Sequence, residues 1–518
     1  MKRIISLCCT VMVAAVFAIS SQQLYAADQY AAGVVFCDAN KNGIQDLGEK
    51  GIKGVRVSNG ISSIKTDENG KYRIQVSDDS IIFVIKPRNW MTGFDKNYIP
   101  KFYYIHKPNG SPKLKFRGVD PTGPLPVSID FPLYPHSEPN KFKAVFMGDT
   151  QVNSIEDINY LAHDIIEELV GTDAKFCISL GDIVNNNLSL YEPLVPVMGK
   201  LCIPTYYVKG NHDTNYDAAP NQKLIDETYE RYFGPSHYSF DYGPVHFISI
   251  NNSYFVQAKG YGAKLDDEQM AFLKDDLVSI PRKQLVVLMM HIPITQMVDA
   301  PEIFELLKSH PNVFAIAAHW HTQRNIFVNS ESGWKGSRPL HLLVNNTSCG
   351  SWWNGAMDEV GIPHTTMSDG APNGYSIITF NGSKYSIKFK AARKPENYQM
   401  NIYAPDSIKT YEAAGTQVLV NVFAGSEKSK VEMRIGDKGD WIPMEFFSVE
   451  DPAYVQTKKR EDSEKQKSAS SLPNPGKCPH MWKANLPADI EAGTYLINIR
   501  TTDMYKQTYT ACRVINVK

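Results

Sequence analysis

The chain has 518 residues, 43% hydrophobic and 21% charged, with a formal net charge of −1. That length exceeds a single hydrophobic core and predicts two to four domains of ordinary globular composition. Near-neutral charge provides no global basic field, which argues against a nucleic acid polymer as the main partner.

The chain opens on "MKRIISLCCTVMVAAVFAISSQQLYAADQY", in which Lys2 and Arg3 precede an apolar run from Ile4 to Ile19 and small residues follow at Ala26 and Ala27. This pattern predicts a signal peptide over 1–26 and an exported protein, periplasmic or associated with a bacterial cell surface. The apolar run is too short to cross a bilayer comfortably, and no later stretch of about 18 apolar residues occurs, so no transmembrane span is expected. Beyond Cys8 and Cys9, the cysteines at 37, 177, 202, 349, 478 and 512 are scattered without a CxxC pair, which rules out a zinc ribbon. Cys177 and Cys202 lie in strand-like runs and are open to pairing or to burial as free thiols.

Residues 28–136 carry short alternating segments such as "GVRVSNG" and "GKYRIQV", then a Pro- and Gly-rich stretch. They read as a small β-domain followed by a linker. In "DANKNGIQDLGE", Asp38, Asn40, Asn42, Asp46 and Glu49 fall at calcium-loop spacing around Gly43. The flanks read as strands, so the same residues also suit an Asx-rich turn, and any calcium here would be structural.

From 141 to 382, apolar runs end abruptly in polar residues, with helical segments between several of them. "IEDINYLAHDIIEEL" has apolar residues at Ile158, Leu161, Ile165 and Leu169, and Asp266 is placed to cap a helix over "DDEQMAFLKDDLVSI". Strands alternating with helices predict βαβ units, whose ligands collect at the carboxyl ends of the strands. From 383 to 518 short strands return, beginning with "KYSIKFK", and predict a β-sandwich; the charged stretch 458–471 reads as a loop.

The strand ends of the central region carry Asp149 and Gln151, Asp182, Asn211-His212-Asp213, His291, and His319 with His321. One acid beside a strand is unremarkable, but five successive strand ends bearing Asp, Asn or His point to a metal site. His246, alternating within "VHFISI", reads as core.

The strings "GDTQ" (148–151), "GDIVNN" (181–186), "GNHD" (210–213), "MHIP" (290–293) and "AHWH" (318–321) resemble, in order and spacing, the calcineurin-like metallophosphoesterase superfamily. The resemblance implies a central α/β domain built as a four-layer α-β-β-α sandwich. It also implies two divalent ions, with Asp182 bridging them. Asp149, Gln151 and His321 would complete one site, and Asn211, His291 and His319 the other. His212 would face the substrate and protonate the leaving group, with Asp213 orienting its ring. Two such ions activate water and clamp phosphoryl oxygens, and a hydrogen-bonding histidine matches charge that develops in the transition state.

Gln151 stands where many relatives carry histidine. An amide oxygen is neutral, harder and weaker than imidazole, which favours Mn²⁺, Mg²⁺ or Fe²⁺ over Zn²⁺. The Asp-x-Gln form resembles manganese-dependent diphosphatases and implies a phosphodiester or diphosphate substrate. Asn185 or Asn186 stands where many relatives carry a further aspartate, at a position that is not a ligand.

The loop "CGSWWNGAMDEVGIPHTTMSDGAPNGYSIITF" (349–380) supplies Trp352, Trp353, Asp369 and Tyr375 as substrate-binding candidates. Its tryptophans either stack on a ligand or pack the loop onto the third domain. Asn215, Tyr216 and Asp217 are further candidates. This loop resembles exported bacterial metallophosphoesterases with their own flanking β-domains, and 33–74 resembles the immunoglobulin-like B-type modules of bacterial adhesins. The combined expectation is an exported phosphoesterase acting on a small-molecule, lipid or cell-envelope phosphoester, monomeric or weakly oligomeric. The alternatives are a phosphomonoesterase or phosphoprotein phosphatase, or a glycan- or lipid-binding surface protein without catalysis.

Overall fold

The computed structural model describes residues 29–219, 221–256, 260–463 and 471–518, so the expected signal peptide lies outside the described residues. No helix among the described residues is long and apolar enough to cross a membrane.

The central domain is built on two facing sheets. One has the spatial order Thr205–Tyr207, Cys177–Ser179, Lys141–Met147, Gly374–Asn381, Lys384–Ala391. The other runs Tyr238–Tyr242, Val245–Ser249, Leu285–Met289, Val313–Ala317, Leu340–Val344, Arg324–Val328. The inner strands of both are parallel. Side chains of a strand alternate between faces, and Lys141–Met147 uses both. Ala144 and Phe146 enter the core between the sheets, while Val145 and Met147 pack under the outer helices. Ring contacts of Phe247 with Phe176 (5.3 Å) and Phe380 (5.4 Å) close the space between the sheets. Helices cover both outer faces, so the expected four layers are present.

Ser154 caps the first helix by accepting from the Asp157 amide. A π turn over Ala162–Ile166 lets Ile158, Leu161, Ile165 and Leu169 all stay buried. Asp266 caps Asp267–Ser279 through the Gln269 amide at 2.8 Å.

Two sequence expectations are corrected. The strand containing "KYSIKFK" belongs to the central sheet rather than the third domain, because Lys384–Ala391 pairs along its whole length with Gly374–Asn381. A hairpin across that boundary leaves no compositional mark. The charged stretch begins as helix, Pro452–Ser463, which Asp451 starts by accepting from the Tyr454 amide while Tyr454 is buried. All six cysteines among the described residues are free; Cys177 is buried and Cys202 exposed, so they do not pair.

The flanking domains are β-rich and dock on the centre. The N-terminal one has two four-stranded sheets. Lys86, buried, pairs with Glu138 at 2.6 Å and donates to the Asp241 carbonyl, and Arg56 pairs with buried Asp276. The C-terminal domain is a sandwich of a four- and a five-stranded sheet around Val418, Val420, Met433, Trp482, Ile497 and Ile515. It meets the 349–372 loop through His480, whose Nε2 lies 3.1 Å from Asp369 Oδ2.

Candidate metal centre

Each motif sits where a strand stops, and the crowding there explains its glycines. A Cβ on Gly210 would stand 2.1 Å from the Asp182 amide nitrogen, and one on Gly181 2.9 Å from His291 Nδ1. Asp149, Gln151, Asp182, His319 and His321 all adopt positive φ, between 24° and 74°. Such strain in non-glycine residues persists only where surrounding structure over-determines it, and it gathers at functional sites.

The strands bring the predicted ligands together. Asp182, His291 and His319 each offer a ligand atom, and these atoms lie within 4.8 Å of one another. His291 Nε2 is 3.0 Å from Asp182 Oδ2 and 3.2 Å from His319 Nδ1. His321 Nε2 lies 3.5 Å from Asp149 Oδ1. The ring orientations are fixed from behind: His291 Nδ1 donates to the Leu180 carbonyl at 2.9 Å, and His321 Nδ1 to the Gly350 carbonyl at 2.6 Å. A backbone acceptor on one ring nitrogen leaves the other free to ligate.

Three buried oxygens in this cluster have no hydrogen-bond partner: Asp149 Oδ1, Gln151 Oε1 and Asn211 Oδ1. Buried polar atoms are satisfied in the great majority of cases. Orphaned acceptors beside three imidazoles form a hard, oxygen-rich and nitrogen-containing set that suits divalent cations. The residues present therefore fit divalent metal, and Gln151 Oε1 is a buried acceptor left free at the end of the same strand as Asp149.

The electrostatics agree. Burial alone would raise the Asp182 carboxyl, but His291, His212 and His319 hold it well below the usual range. Burial would lower His291, yet Asp182 and then Asp149 push it up to about 9. Burial, with the neighbouring His291, pushes His319 down to about 4. A proton on His291 occupies the position that a metal would take.

His212 is not held as expected. Asp213 accepts from the amides of Gly210 and Ile183 and from the Tyr191 hydroxyl, all at 2.9–3.2 Å, and from Val184 at 3.3 Å. It ties the Asp182 turn to the Asn211 turn. The His212 ring is held instead by Asn186, whose Oδ1 lies 2.9 Å from Nδ1. This leaves Nε2 on the side of Asp182, 4.0 Å from Oδ2. Of the two asparagines after "GD", the fold shows that Asn186 is the one that reaches the histidine.

The 349–380 loop separates its four candidates. Trp352 stacks on His321, with ring centroids 4.0 Å apart and planes at 24°. Trp353 is 3% exposed and donates from Nε1 to the Thr150 carbonyl, so it braces the first motif from behind and serves neither as ligand platform nor as contact to the third domain. Asp369 is buried, accepting from the Gln323 amide beside His480. Tyr375 is buried in the core under the outer helices. These three are structural rather than substrate-facing. Asn215 is buried and donates to the Phe116 carbonyl, and the Tyr216 hydroxyl donates to the Asn211 carbonyl. Tyr261, which the sequence did not mark, brings its hydroxyl to 3.3 Å from His319 Nε2, from the hairpin Ser253–Val256/Gly260–Ala263.

The side chains of the N-terminal 38–49 loop bond within the loop. Asp38 accepts from the Asn42 and Gly43 amides, Asp46 Oδ2 from the Asn40 and Asn42 side chains, and Glu49 from the Ala39 and Asp46 amides.

Three family profiles match the chain: "N terminal of Calcineurin-like phosphoesterase" over 39–119, "Calcineurin-like phosphoesterase" over 142–323, and "C terminal of Calcineurin-like phosphoesterase" over 343–509. Among curated proteins, Serine-aspartate repeat-containing protein F of Staphylococcus epidermidis is 46% identical over 72 residues, 12% of this chain and 4% of that protein. The match thus spans a small fraction of that relative's length. Similar solved structures include a dimetal phosphatase from Danio rerio at 12% identity, covering 48% of this chain and 96% of that one, with a TM-score of 0.31. Another is the purple acid phosphatase PPD1 from yellow lupin (Lupinus luteus) seeds, also at 12% identity, covering 70% and 73%, with a TM-score of 0.36.

Proposed function

The chain belongs to the calcineurin-like phosphoesterase family, and from that premise we propose that it is a metal-dependent phosphoric ester hydrolase acting on a phosphodiester or diphosphate bond. The observation that carries this reading is the convergence of Asp182, His291 and His319 with the orphaned oxygens of Asp149, Gln151 and Asn211, beside His212.

Asp149, Gln151, Asp182, Asn211, His291, His319 and His321 would hold two divalent ions. When bound, these supply a Lewis acid that activates water and neutralises phosphoryl charge. The chain's own residues do the rest. His212, with Nδ1 fixed by Asn186, turns Nε2 toward the cluster, where it donates to a phosphoryl oxygen and gives a proton to the departing oxygen. Asp213 keeps the Asp182 and Asn211 turns at a fixed separation. The neutral amides of Gln151 and Asn211 complete the shell without adding negative charge that would repel phosphate.

The diester preference rests on the Asp149-x-Gln151 form of the first motif, and the preference for Mn²⁺, Mg²⁺ or Fe²⁺ over Zn²⁺ on the hardness of the amide oxygen. Export to the periplasm or cell surface, and a small-molecule or envelope phosphoester as substrate, belong to the same reading.

The test is to strip the protein of metal, reload it with Mn²⁺, and compare bis-p-nitrophenyl phosphate with p-nitrophenyl phosphate. Faster diester turnover supports the proposal. Faster monoester turnover replaces it with a phosphomonoesterase. No turnover with any divalent metal replaces it with a binding protein.

A further inference from the structure

Each histidine of "AHWH" is covered by one aromatic side chain, in two different ways. Tyr261 meets His319 edge-on, at 88°, and offers it a hydroxyl. Trp352 lies nearly flat on His321. A hydroxyl contact positions its partner. A flat stack covers one face of the indole and leaves the other face to whatever enters the site.

Trp352 is 38% exposed although its neighbour Trp353 is 3% exposed. The backbone enforces this split, because both residues adopt positive φ, 60° and 56°. Two successive left-handed non-glycine residues are costly and need firm anchors. The anchors are present: the Cys349 amide donates to the Asp149 carbonyl at 3.0 Å, Ser351 bonds Thr365 and Thr366, and Trp353 is pinned to Thr150. The loop is therefore held in a strained form whose visible result is one indole displayed at the rim of the metal centre. His321 is the only ring that Trp352 meets among the described residues.

We propose that Trp352 is a specificity platform that stacks a flat aromatic ring, an aryl group or nucleobase, carried by the part of the diester that stays on phosphorus. The reading rests on the phosphodiesterase function proposed above. The geometry makes a three-layer stack of His321, the Trp352 indole and the substrate ring. The indole is electron-rich, and an imidazole that held a cation would be electron-poor, an arrangement that favours stacking. Stacking on an aromatic side chain raises binding by roughly 10-fold.

Three diesters that release the same p-nitrophenolate separate this from a bracing role. Bis-p-nitrophenyl phosphate retains an aryl ring, thymidine 5′-(p-nitrophenyl phosphate) retains a base, and methyl p-nitrophenyl phosphate retains no ring. The Mn²⁺-loaded protein is expected to favour one or both ringed diesters over the methyl diester by about 10-fold in kcat/KM. The ring that is favoured identifies the source. Trp352→Ala should abolish that ratio and Trp352→Phe should keep part of it. Thymidine 5′-monophosphate should quench the fluorescence of the loaded protein and quench Trp352→Phe less. Mn²⁺ titration by calorimetry completes the set. An equal fall on all three substrates with weakened Mn²⁺ binding would show that Trp352 only braces His321 and would overturn the proposal, as would a wild type that shows no ring preference. If only p-nitrophenyl phosphate is cleaved, the diester reading fails, and the platform is decided by the fluorescence arm, where quenching that ignores position 352 rejects it.

Discussion

The Asn186 side-chain oxygen and His212 Nδ1 stand 2.9 Å apart. A neutral acceptor therefore orients the His212 ring in this chain. Removing it frees the ring without touching a metal ligand, so Asn186→Ala should lower kcat by about 10-fold, less than the 10²- to 10⁴-fold expected of His212→Ala. Asn186→Asp should act differently. A carboxylate at that distance still accepts from the ring, so this variant should keep most of the wild-type kcat. Equal kcat for wild type and Asn186→Ala would show that the contact does not control the ring.

Asp213 is expected to matter for stability. Four donors converge on this buried carboxylate, from Ile183, Val184, Gly210 and Tyr191. Asp213→Ala leaves them unsatisfied, at about 1–3 kcal/mol each before relaxation. A loss of at least about 3 kcal/mol should appear in chemical denaturation, together with weaker metal binding. A variant that unfolds with the wild type but loses turnover would return Asp213 to the role of orienting His212.

The strand-end residues were legible because parallel sheets collect ligands at one edge, and because "GD", "GNHD" and "HWH" carry glycines that crowding requires. What was not legible depends on distance across the fold. The reach of Asn186 to His212 joins two separate turns. Tyr261 arrives from a hairpin with no motif. Trp352 and Trp353 look alike in sequence, and their opposite fates follow from two successive positive φ values. Asp369 looked like a site acid in a glycine-rich loop, but it serves the domain contact with His480.

Gln151 carries an orphaned Oε1 at 2% exposure. If that oxygen ligates, Gln151→Ala should weaken one of two Mn²⁺ equivalents by about 10-fold. Gln151→His should favour Zn²⁺ over Mn²⁺ relative to wild type, because imidazole is the softer donor. Competition titrations read both. Unchanged Mn²⁺ stoichiometry and affinity in Gln151→Ala would remove Gln151 from the shell.

The raised His291 makes metal uptake pH-dependent. Burial opposes its cation, but Asp182 and Asp149 push it up to about 9, so at pH 7 the metal-free ring carries a proton that a metal must displace. Mn²⁺ affinity should rise by up to about tenfold per pH unit from pH 7 to 9 and flatten above it. Calorimetry in two buffers of different ionisation enthalpy should count close to one proton released as the site that holds His291 fills. Binding with no buffer dependence at pH 7 would mean that His291 is already neutral.

His246 lies buried between Asp276 and Asp241, each 2.8 Å from a ring nitrogen, where the N-terminal domain docks through Arg56. Burial alone would lower its pKa, but Asp276 and then Asp241 outweigh it and push it up to about 9. The unfolded chain holds its histidine near 6.5. A group raised on folding contributes stability in full below its unfolded value, and that contribution is lost as pH rises through the folded one. Between pH 6.5 and 9 the slope from this residue reaches about 1.4 kcal/mol per pH unit. The advantage of wild type over His246→Gln in urea denaturation should therefore be largest at pH 6 and shrink toward pH 9.5. Other groups titrate in the same window, but they are common to both proteins and cancel in the difference. A constant gap between the two proteins across the range would show that His246 is neutral in the fold and that its two carboxylates are balanced by Arg56 instead.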